Sequence, residues 1–387
     1  MQTKLFSYIP AAESALKLTA IVPARNEEAA IAACLRAFAA QRTVCGGPLA
    51  PNVFDVVVYA NSCSDATAQV AARFIAAHTG LRAYVAVGPL PRGAAHVGTA
   101  RKTVMDFAAT RFIKAGAPRG LVASVDADTT VDPDWAARLL EAARRVDAVA
   151  GYVFIDALEL ARLPAGVRRL HALESTFRSL CAELEAAIDP LPEDLPPRHG
   201  DFVGANFAVA AGTYVAAGGI PPLPRLEDRA FLFALRRIDA RVRFALDVRA
   251  ATSGRRTPRV AGGFGTERRE LYRRGLRRET IFVEHPARLE ETACARAALR
   301  RLWSGTGCRS DVALACRLFR THERDLYESL DTSLPFGIAY ERIAMRAALA
   351  PRYETIAVEA AIERLRAAIL RRTADVAIRT VAASGAG

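Results

Sequence analysis

Two carboxylates, Asp126 and Asp128, follow a short valine-rich apolar run and are the residues of this chain best suited to chemistry. Side chains two residues apart in a strand point the same way, so both carboxylates can address one cation where the strand ends. Hard oxygen ligands suit Mg²⁺ or Mn²⁺, and a Mg²⁺ site commonly combines one or two carboxylates with phosphate oxygens of a substrate. The pattern alone is compatible with a divalent-metal site and with a solvated acidic turn, and the neighbouring motifs decide between the two.

Other polar clusters also follow apolar strands. A strand at residues 18–22 leads into the turn Pro23 to Glu27, and a strand at residues 54–59 leads into the turn Asn61 to Asp65. In open α/β sheets, ligands bind beyond the carboxyl ends of the strands. We therefore expect these two turns and the Asp126 to Asp128 turn to converge on one edge of the sheet.

Alternating apolar and helical stretches supply the elements that position these clusters. The sequence predicts further strands at 84–87, before Asp126, at 202–210 and at 242–246, and helices at 29–41, 66–78, 99–115, 158–188 (interrupted near Pro164), within 212–219 and at 227–240. Strands that alternate with helices form mainly parallel sheets. From about residue 266 the pattern is helical to the end, so the fold class is α/β with a mostly helical C-terminal region.

Composition is that of a folded globular protein. The 387 residues are 51% hydrophobic and 24% charged, and the net charge of +12 is carried almost wholly by arginine. Residues 249–387 contain 26 arginines against 16 acidic residues. This excess suits an anionic membrane face, a phosphorylated substrate or nucleic acid, and a solvated helical surface accounts for it equally well.

Localisation and redox state follow from what the sequence lacks. No apolar run approaches the roughly 20 residues of a membrane span, and the N-terminus lacks a signal-peptide pattern, so we expect a cytoplasmic protein. The seven cysteines are scattered and contain no Cys-x-x-Cys pair, which predicts reduced thiols rather than disulfides or a zinc site.

The order of these motifs resembles the family 2 glycosyltransferases, which have the nucleotide-diphospho-sugar transferase fold called GT-A. The resemblance spans residues 18 to about 265 and rests on AIVPARNEE (20–28), ANSCSDAT (60–67), TAR (99–101), DAD (126–128), GAN (204–206) and the pair Glu227-Asp228. It implies a mixed, mainly parallel sheet flanked by helices. It divides the chain into a catalytic domain, 1–265, with a nucleotide-binding half (18–130) and an acceptor-side half (131–265), followed by a helical region, 266–387.

The resemblance implies a donor site that binds a nucleotide-diphospho-sugar, with UDP- and GDP-sugars as the family's usual donors. The residues it places there are Pro23, Ala24, Arg25, Glu27, Asn61, Asp65, Arg101, Asp126, Arg255 and Arg256. Asn61 stands where the family usually has a carboxylate for the base, and Asp65 is equally suited to cap a helix. Asp128 is the residue expected to contact Mg²⁺ or Mn²⁺ directly, with Asp126 beside it.

On the acceptor side the resemblance implies Gly204, Asn206 and Glu227, with Asp228 as the general base of an inverting transfer. A capping carboxylate in the first helical turn is the alternative for Asp228. The acceptor is expected to be a sugar, a lipid-linked molecule or a small molecule. Peripheral contact with the inner face of the membrane is compatible with the basic helical region, whose residues 354–379 suit packing on the core better.

Two other functions are compatible with parts of the sequence. A sugar-1-phosphate nucleotidyltransferase shares the fold but opens with a glycine-rich phosphate loop, which residues 23–29 lack. A non-catalytic protein that binds a nucleotide sugar or an anionic surface would use the same carboxylates or the C-terminal arginines. Because the basic region lacks interleaved aromatic residues, we expect no nucleic-acid partner. The oligomeric state is not indicated by the sequence.

Overall fold

The computed structural model describes residues 5–91, 93–252, 264–346 and 353–384. The chain forms two compact units. The first contains residues 1–161, 201–236 and 240–266, and the second contains residues 162–200, 237–239 and 267–387.

The first unit is built on one mixed sheet of eight strands among the described residues. The strands are β1 (Leu18–Ala24), β2 (Phe54–Asn61), β3 (Ala83–Gly88), β4 (Leu121–Val125), β5 (Thr129–Val131), β6 (Ala148–Ile155), β7 (Asn206–Ala210) and β8 (Val242–Thr252). Their order across the sheet is β3-β2-β1-β4-β7-β6-β8-β5. The pairs β1–β2, β2–β3, β1–β4 and β6–β8 are parallel, and β7 runs antiparallel to both β4 and β6.

Helices cover both faces of this sheet. They are α1 (Ile31–Ala39), α2 (Thr67–Ala77), α3 (Val97–Lys114), α4 (Trp135–Ala142), α7 (Ala211–Ala216) and α8 (Glu227–Arg237). Between α4 and α7 in the chain lie the short α5 (Ala157–Ala161), which buries no residue, and α6 (Ala165–Ile188), which belongs to the second unit. Strand residues alternate between two hydrophobic clusters, one on each face. Phe207 and Val209 enter the cluster beneath α3, whereas Ala208 and Ala210 enter the cluster that contains Trp135. The strands are therefore apolar along their whole length, as buried parallel strands are.

A buried ion pair lies at the amino ends of the first two strands. Arg111 of α3 lies 2.7 Å from Asp55, and Thr19 donates a hydrogen bond of 2.8 Å to the same carboxylate. Burial raises the pKa of Asp55, and the Arg111 charge opposes that effect. A charge at this depth is tolerable only when it is paired, so this contact fixes α3 against β1 and β2.

The mixed, mainly parallel sheet flanked by helices that was expected from the sequence is confirmed, with differences at particular elements. The strand predicted at 202–210 is limited to Asn206–Ala210, and β8 extends to Thr252 because its second half pairs with β6 and β5. Neither β5 nor β6 was predicted. The domain boundary near residue 265 stays a prediction, since the first unit ends at 266 but residues 162–200 group with the C-terminal helices.

The second unit is helical. Besides α6 it contains α9 (Phe264–Leu276), α10 (Pro286–Trp303), α11 (Arg309–Phe319), α12 (Glu323–Ser329), α13 (Phe336–Arg346) and α14 (Val358–Ser384), with a short antiparallel pair, β9 (Phe282–Val283) and β10 (Ile356–Ala357). Asp189 is buried and accepts hydrogen bonds from Arg296 and Arg300 of α10. Within the described residues, no helix has both the length and the apolar character needed to cross a membrane.

The start of α11 makes stability depend on pH. The Arg301 guanidinium lowers the pKa of Asp311 to about 2, and the Asp311 carboxylate also accepts from the Cys308 backbone N–H at 3.0 Å. A carboxyl whose pKa is depressed in the folded state stabilises the fold above its ordinary pKa and loses this contribution as pH falls. We expect Asp311→Asn to be less stable than the parent chain at pH 7, with the difference shrinking between about pH 4 and pH 2.

Urea unfolding followed by circular dichroism at pH 7, 4, 3 and 2 measures this difference. Asp325→Asn, in the first turn of α12, is the matched control. If the stability difference between Asp311→Asn and the parent chain were constant from pH 7 to pH 2, the Arg301 contact would not be what lowers the pKa of Asp311.

Candidate active site

A buried arginine, Arg101 of α3, organises the carboxyl edge of the sheet. Only 2% of its surface is exposed. Its guanidinium donates to the Ser124 hydroxyl at 3.0 Å, to Asp126 Oδ1 at 2.5 Å and to Glu227 Oε1. One cation thus joins the carboxylate at the end of β4 to the buried carboxylate that begins α8.

Strand alternation explains why Ser124 and Asp126 meet the same guanidinium. The two residues are two positions apart at the end of β4, so their side chains leave on the same face. Ser124 also donates to the Gly204 carbonyl oxygen at 2.7 Å. A Cβ atom at position 204 would lie 2.6 Å from Arg101 Cζ, so this approach of backbone to guanidinium requires glycine.

Asp228 is held beside this cluster. Its Oδ2 accepts from the Gly204 backbone N–H at 2.8 Å, and its Oδ1 accepts from the Arg229 backbone N–H at 2.7 Å. Glu227 is 5% exposed and paired with Arg101, whereas Asp228 is only partly buried. Of this predicted pair, Asp228 is therefore the carboxylate that a ligand can reach.

The two turns expected to bind the nucleotide are joined to each other by side-chain-to-backbone hydrogen bonds. Asp65 accepts from the backbone N–H groups of Glu28 at 3.1 Å and Thr67 at 3.0 Å, and Glu28 accepts from the Ala66 N–H at 2.9 Å. Asn26 accepts from the Ser64 N–H at 2.8 Å. Asp65 thus fixes the turn before α2, while the N-cap residue of that helix is Ala66.

The remaining predicted nucleotide-side residues lie on the same two turns. Pro23 and Ala24 end β1 and are buried, and the Ala24 carbonyl accepts from the Asn61 side-chain amide at 3.0 Å. Arg25 is exposed and donates to the Ala95 carbonyl at 3.1 Å, which ties this turn to the segment before α3.

Negative charge accumulates around the thiol of Cys34 on α1. Burial raises the pKa of Cys34 far above its usual range, and the charges of Asp128, Asp126 and Glu27 raise it further. The Cys34 thiol also contacts the Asp126 carbonyl oxygen at 3.8 Å. The carboxylates of Asp126, Asp128 and Glu27 therefore lie around Cys34 in one electronegative region.

The donor set fits a divalent cation that is completed by a ligand. No group of three His, Cys, Asp or Glu side chains suited to a metal occurs within the described residues. Asp126 accepts a hydrogen bond from Arg101 through Oδ1, while Asp128 is partly exposed at the same turn. Two carboxylates with phosphate oxygens and water are an ordinary Mg²⁺ environment, so the residues present are compatible with such an ion.

Asn206 lies apart from this cluster. Its side chain accepts from the Trp135 indole N–H at 2.9 Å and donates to the carbonyl oxygens of Tyr152 at 3.2 Å and Val248 at 2.9 Å. It shares the sheet face of Ala208 and Ala210, opposite the face of Arg101. Its amide is occupied in fixing α4, β6 and β8 to β7, whereas the sequence predicted an acceptor-side role.

Sequence reasoning missed Ser124, Thr67 and the close approach of Gly204 to Arg101. Strand alternation from Asp126 could have indicated Ser124, since the two are on one face. Thr67 is buried and its hydroxyl accepts from the Glu27 N–H at 2.7 Å, a contact over 40 residues that no local pattern reveals. Arg255 and Arg256, predicted to grip the diphosphate, lie outside the described residues.

Residues 19–170 match the sequence model of glycosyl transferase family 2. A comparison with curated protein sequences gives no match. This segment therefore matches the family 2 glycosyltransferases, in agreement with the resemblance that its motifs show. The matched segment contains the motifs from AIVPARNEE to Asp128, whereas Gly204 and Asp228 lie beyond it.

Solved glycosyltransferase structures are similar to the chain at low identity. Mannosyltransferase PcManGT from Pyrobaculum calidifontis, in complex with GDP-Man and Mn²⁺, is 18% identical with a TM-score of 0.46, covering 89% of this chain and 92% of that one. TarS from S. aureus, in complex with UDP-GlcNAc, is 14% identical with a TM-score of 0.44, covering 86% and 90%. Glucosyl-3-phosphoglycerate synthase from Mycobacterium tuberculosis, in complex with Mn²⁺, UDP and phosphoglyceric acid, is 16% identical with a TM-score of 0.37, covering 73% and 87%. None of these similarities assigns a donor or an acceptor to this chain.

Loss of Arg101 should leave Glu227 as an unpaired buried charge. We expect Arg101→Met to lower the free energy of unfolding by about 3–5 kcal/mol, because removing one partner of a buried pair strands the other. Arg101→Met combined with Glu227→Gln should recover part of this loss. Chemical denaturation of the four members of the cycle measures the coupling.

Arg249→Met is the matched control, since Arg249 forms a half-exposed ion pair with Asp132 at 3.2 Å. It should change the free energy of unfolding by no more than about 1 kcal/mol. If Arg101→Met is no more destabilising than this control, the Arg101 contacts do not hold the site together.

Proposed function

We propose that this protein transfers a sugar from a nucleotide-diphospho-sugar to an acceptor hydroxyl, with inversion at the anomeric carbon. The donor is a UDP- or GDP-sugar, and the acceptor is a sugar, a lipid-linked molecule or a small molecule. The family match supports the reaction class, and the arrangement of the carboxylates around Arg101 supports the mechanism.

The observation that carries the proposal is the set of contacts of one buried guanidinium. Arg101 binds Asp126 on the donor side, and it packs against Gly204, whose N–H holds Asp228. The Arg101 guanidinium therefore fixes the turn from Asp126 to Asp128 and, through Gly204, also positions Asp228. A transferase needs the leaving diphosphate and the base for the acceptor within one site, and these contacts support such an arrangement.

The donor would lie across the turns at the carboxyl ends of β1, β2 and β4. Arg25 and Glu27 would frame the base and ribose, with Asn61 and Asp65 shaping the neighbouring turn. A divalent Mg²⁺ or Mn²⁺ held by Asp128 and Asp126 supplies Lewis-acid stabilisation of the diphosphate charge when bound.

Asp228 accepts a proton in this mechanism. The acceptor oxygen forms a bond to the anomeric carbon while its proton passes to the Asp228 carboxylate. The bond from that carbon to the diphosphate oxygen breaks, and the nucleoside diphosphate leaves with the bonding pair. Attack on the face opposite the leaving group gives inversion. The two N–H bonds to Asp228 orient its carboxylate for this role.

Asp228→Asn should preserve donor binding and abolish most transfer. The amide keeps the size of the carboxylate but cannot accept the proton, so we expect kcat to fall by about 10²–10⁴-fold with an unchanged Kd for the nucleotide. Steady-state kinetics with calorimetric binding separates the two quantities. Asp247→Asn, at an exposed carboxylate, is the control. A near-normal kcat in Asp228→Asn would exclude Asp228 as the base.

Asp128→Ala should remove the metal dependence of nucleotide binding. We expect Mn²⁺ to tighten nucleoside diphosphate binding in the parent chain and to have little effect in this variant, since the ion would lose its direct carboxylate. Titration calorimetry with and without Mn²⁺ measures the difference. Asp134→Ala, a partly exposed carboxylate paired with Arg138, controls for loss of charge nearby. Equal Mn²⁺ dependence in parent and Asp128→Ala would rule out Asp128 as a ligand.

A further inference from the structure

An exposed apolar and cationic surface borders the candidate active site. We call it the docking face and define it by Leu223, Arg225, Leu226, Arg229 and Phe233. Its three hydrophobic side chains are 41%, 58% and 52% exposed, for Leu223, Leu226 and Phe233 respectively. Large apolar side chains exposed side by side mark an interaction surface more often than isolated ones do.

Helical geometry places most of these residues together. Leu226 immediately precedes α8, and Arg229 and Phe233 follow it at intervals of three and four residues, so the three share one side of the helix. The buried residues Phe231 and Leu235 occupy the other side. The Arg229 guanidinium lies 6.0 Å from the centre of the Phe233 ring, which confirms that these two side chains are neighbours.

The segment before α8 is fixed against the body of the first unit. A Cβ atom at Gly98, in the first turn of α3, would lie 2.0 Å from the Leu223 carbonyl oxygen. Leu223 backbone therefore packs directly on α3, while its side chain remains exposed. The backbone of the docking face thus contacts α3, the helix that carries Arg101.

The fully exposed charges of this surface are positive. Between Gly219 and Arg236 the acidic residues are Glu227 and Asp228. Glu227 is buried against Arg101, and Asp228 is partly buried with both oxygens accepting backbone N–H groups. The exposed charged side chains of this segment are arginines, at positions 225, 229 and 236.

We propose that the docking face binds an anionic lipid surface. Leucine and phenylalanine side chains enter the boundary between headgroups and acyl chains, while arginines contact lipid phosphates. A second copy of the chain is a poorer occupant, because two arginine-bearing faces would repel each other. The C-terminal arginines are less suited to this role where they are already paired, as Arg296 and Arg300 are with Asp189.

Docking does not depend on the proposed sugar transfer, but it has a consequence for it. Asp228 lies between Leu226 and Arg229 in the sequence of the docking face, so docking would bring the proposed base close to the lipid surface. An acceptor anchored in the bilayer would then be presented to Asp228 without leaving the membrane.

Co-sedimentation with lipid vesicles tests the proposal. The parent chain should bind vesicles that contain phosphatidylglycerol, bind pure phosphatidylcholine vesicles weakly, and lose binding as salt is raised. Arg225→Gln and Arg229→Gln should each weaken binding roughly fivefold. Arg73→Gln removes an exposed arginine of α2 and should leave binding unchanged.

Two variants test the apolar part of the surface. Leu226 has a φ of +55°, in the left-handed region, where Asn is less strained than Leu. Leu226→Asn should therefore keep the fold while weakening vesicle binding, and Phe233→Ser should weaken it further. Val87→Ser removes an exposed valine on β3 and is the matched control.

Three results would overturn the proposal. They are no binding to anionic vesicles at low salt, equal weakening by the control variants, and a self-association seen by sedimentation velocity that Phe233→Ser abolishes. Nucleoside diphosphate binding, measured on the same variants, should be unchanged. If the parent chain itself bound no nucleoside diphosphate, the proposed transferase function would be contradicted, whereas the vesicle-binding result would still hold.

Discussion

The site depends on a buried positive charge, because the Arg101 guanidinium cannot remain at this depth without acceptors on every side. Ser124, Asp126 and Glu227 supply those acceptors, and Gly204 leaves the room the guanidinium needs. The same arrangement ties β4, the segment before β7 and the start of α8 together. Asp228 follows Glu227 directly and is held by the Gly204 N–H, so the position of the proposed base follows from the satisfaction of one buried charge.

A second set of interactions shapes the nucleotide side. The turns after β1 and β2 exchange side-chain-to-backbone hydrogen bonds through Asn26, Glu28 and Asp65. Such bonds satisfy turn backbone groups that strands and helices leave unpaired. They present Arg25 and Glu27 from a fixed loop, beside Cys34, whose pKa is raised by burial and further by the charges of Asp128, Asp126 and Glu27. A site that is already negative favours a cation, and a cation in turn favours a diphosphate.

Local patterns in the sequence predicted the β–turn–α units, the turn from Asp126 to Asp128 and the helix that starts at Glu227. These features depend on apolar periodicity and on residues that are close in sequence. The strands β5 and β6 were missed, since their pairing with β8 joins segments about 100 residues apart. Asn206 was expected near the acceptor, but its contacts with Trp135 and Val248 are long-range and fix the opposite face of the sheet. Arg101 was assigned to the donor, whereas its burial against Glu227 can be seen only once α3 and α8 are packed together.

The most direct test of the central claim is a melting-temperature measurement with uridine, guanosine, cytidine and thymidine diphosphates, each with and without Mn²⁺. A ligand that binds only the folded protein raises its melting temperature. The proposed function predicts a metal-dependent rise for one of the nucleotides, expected to be uridine or guanosine diphosphate. No rise with any of the four, in the presence of Mn²⁺, would contradict the proposal that this site binds a nucleotide-diphospho-sugar.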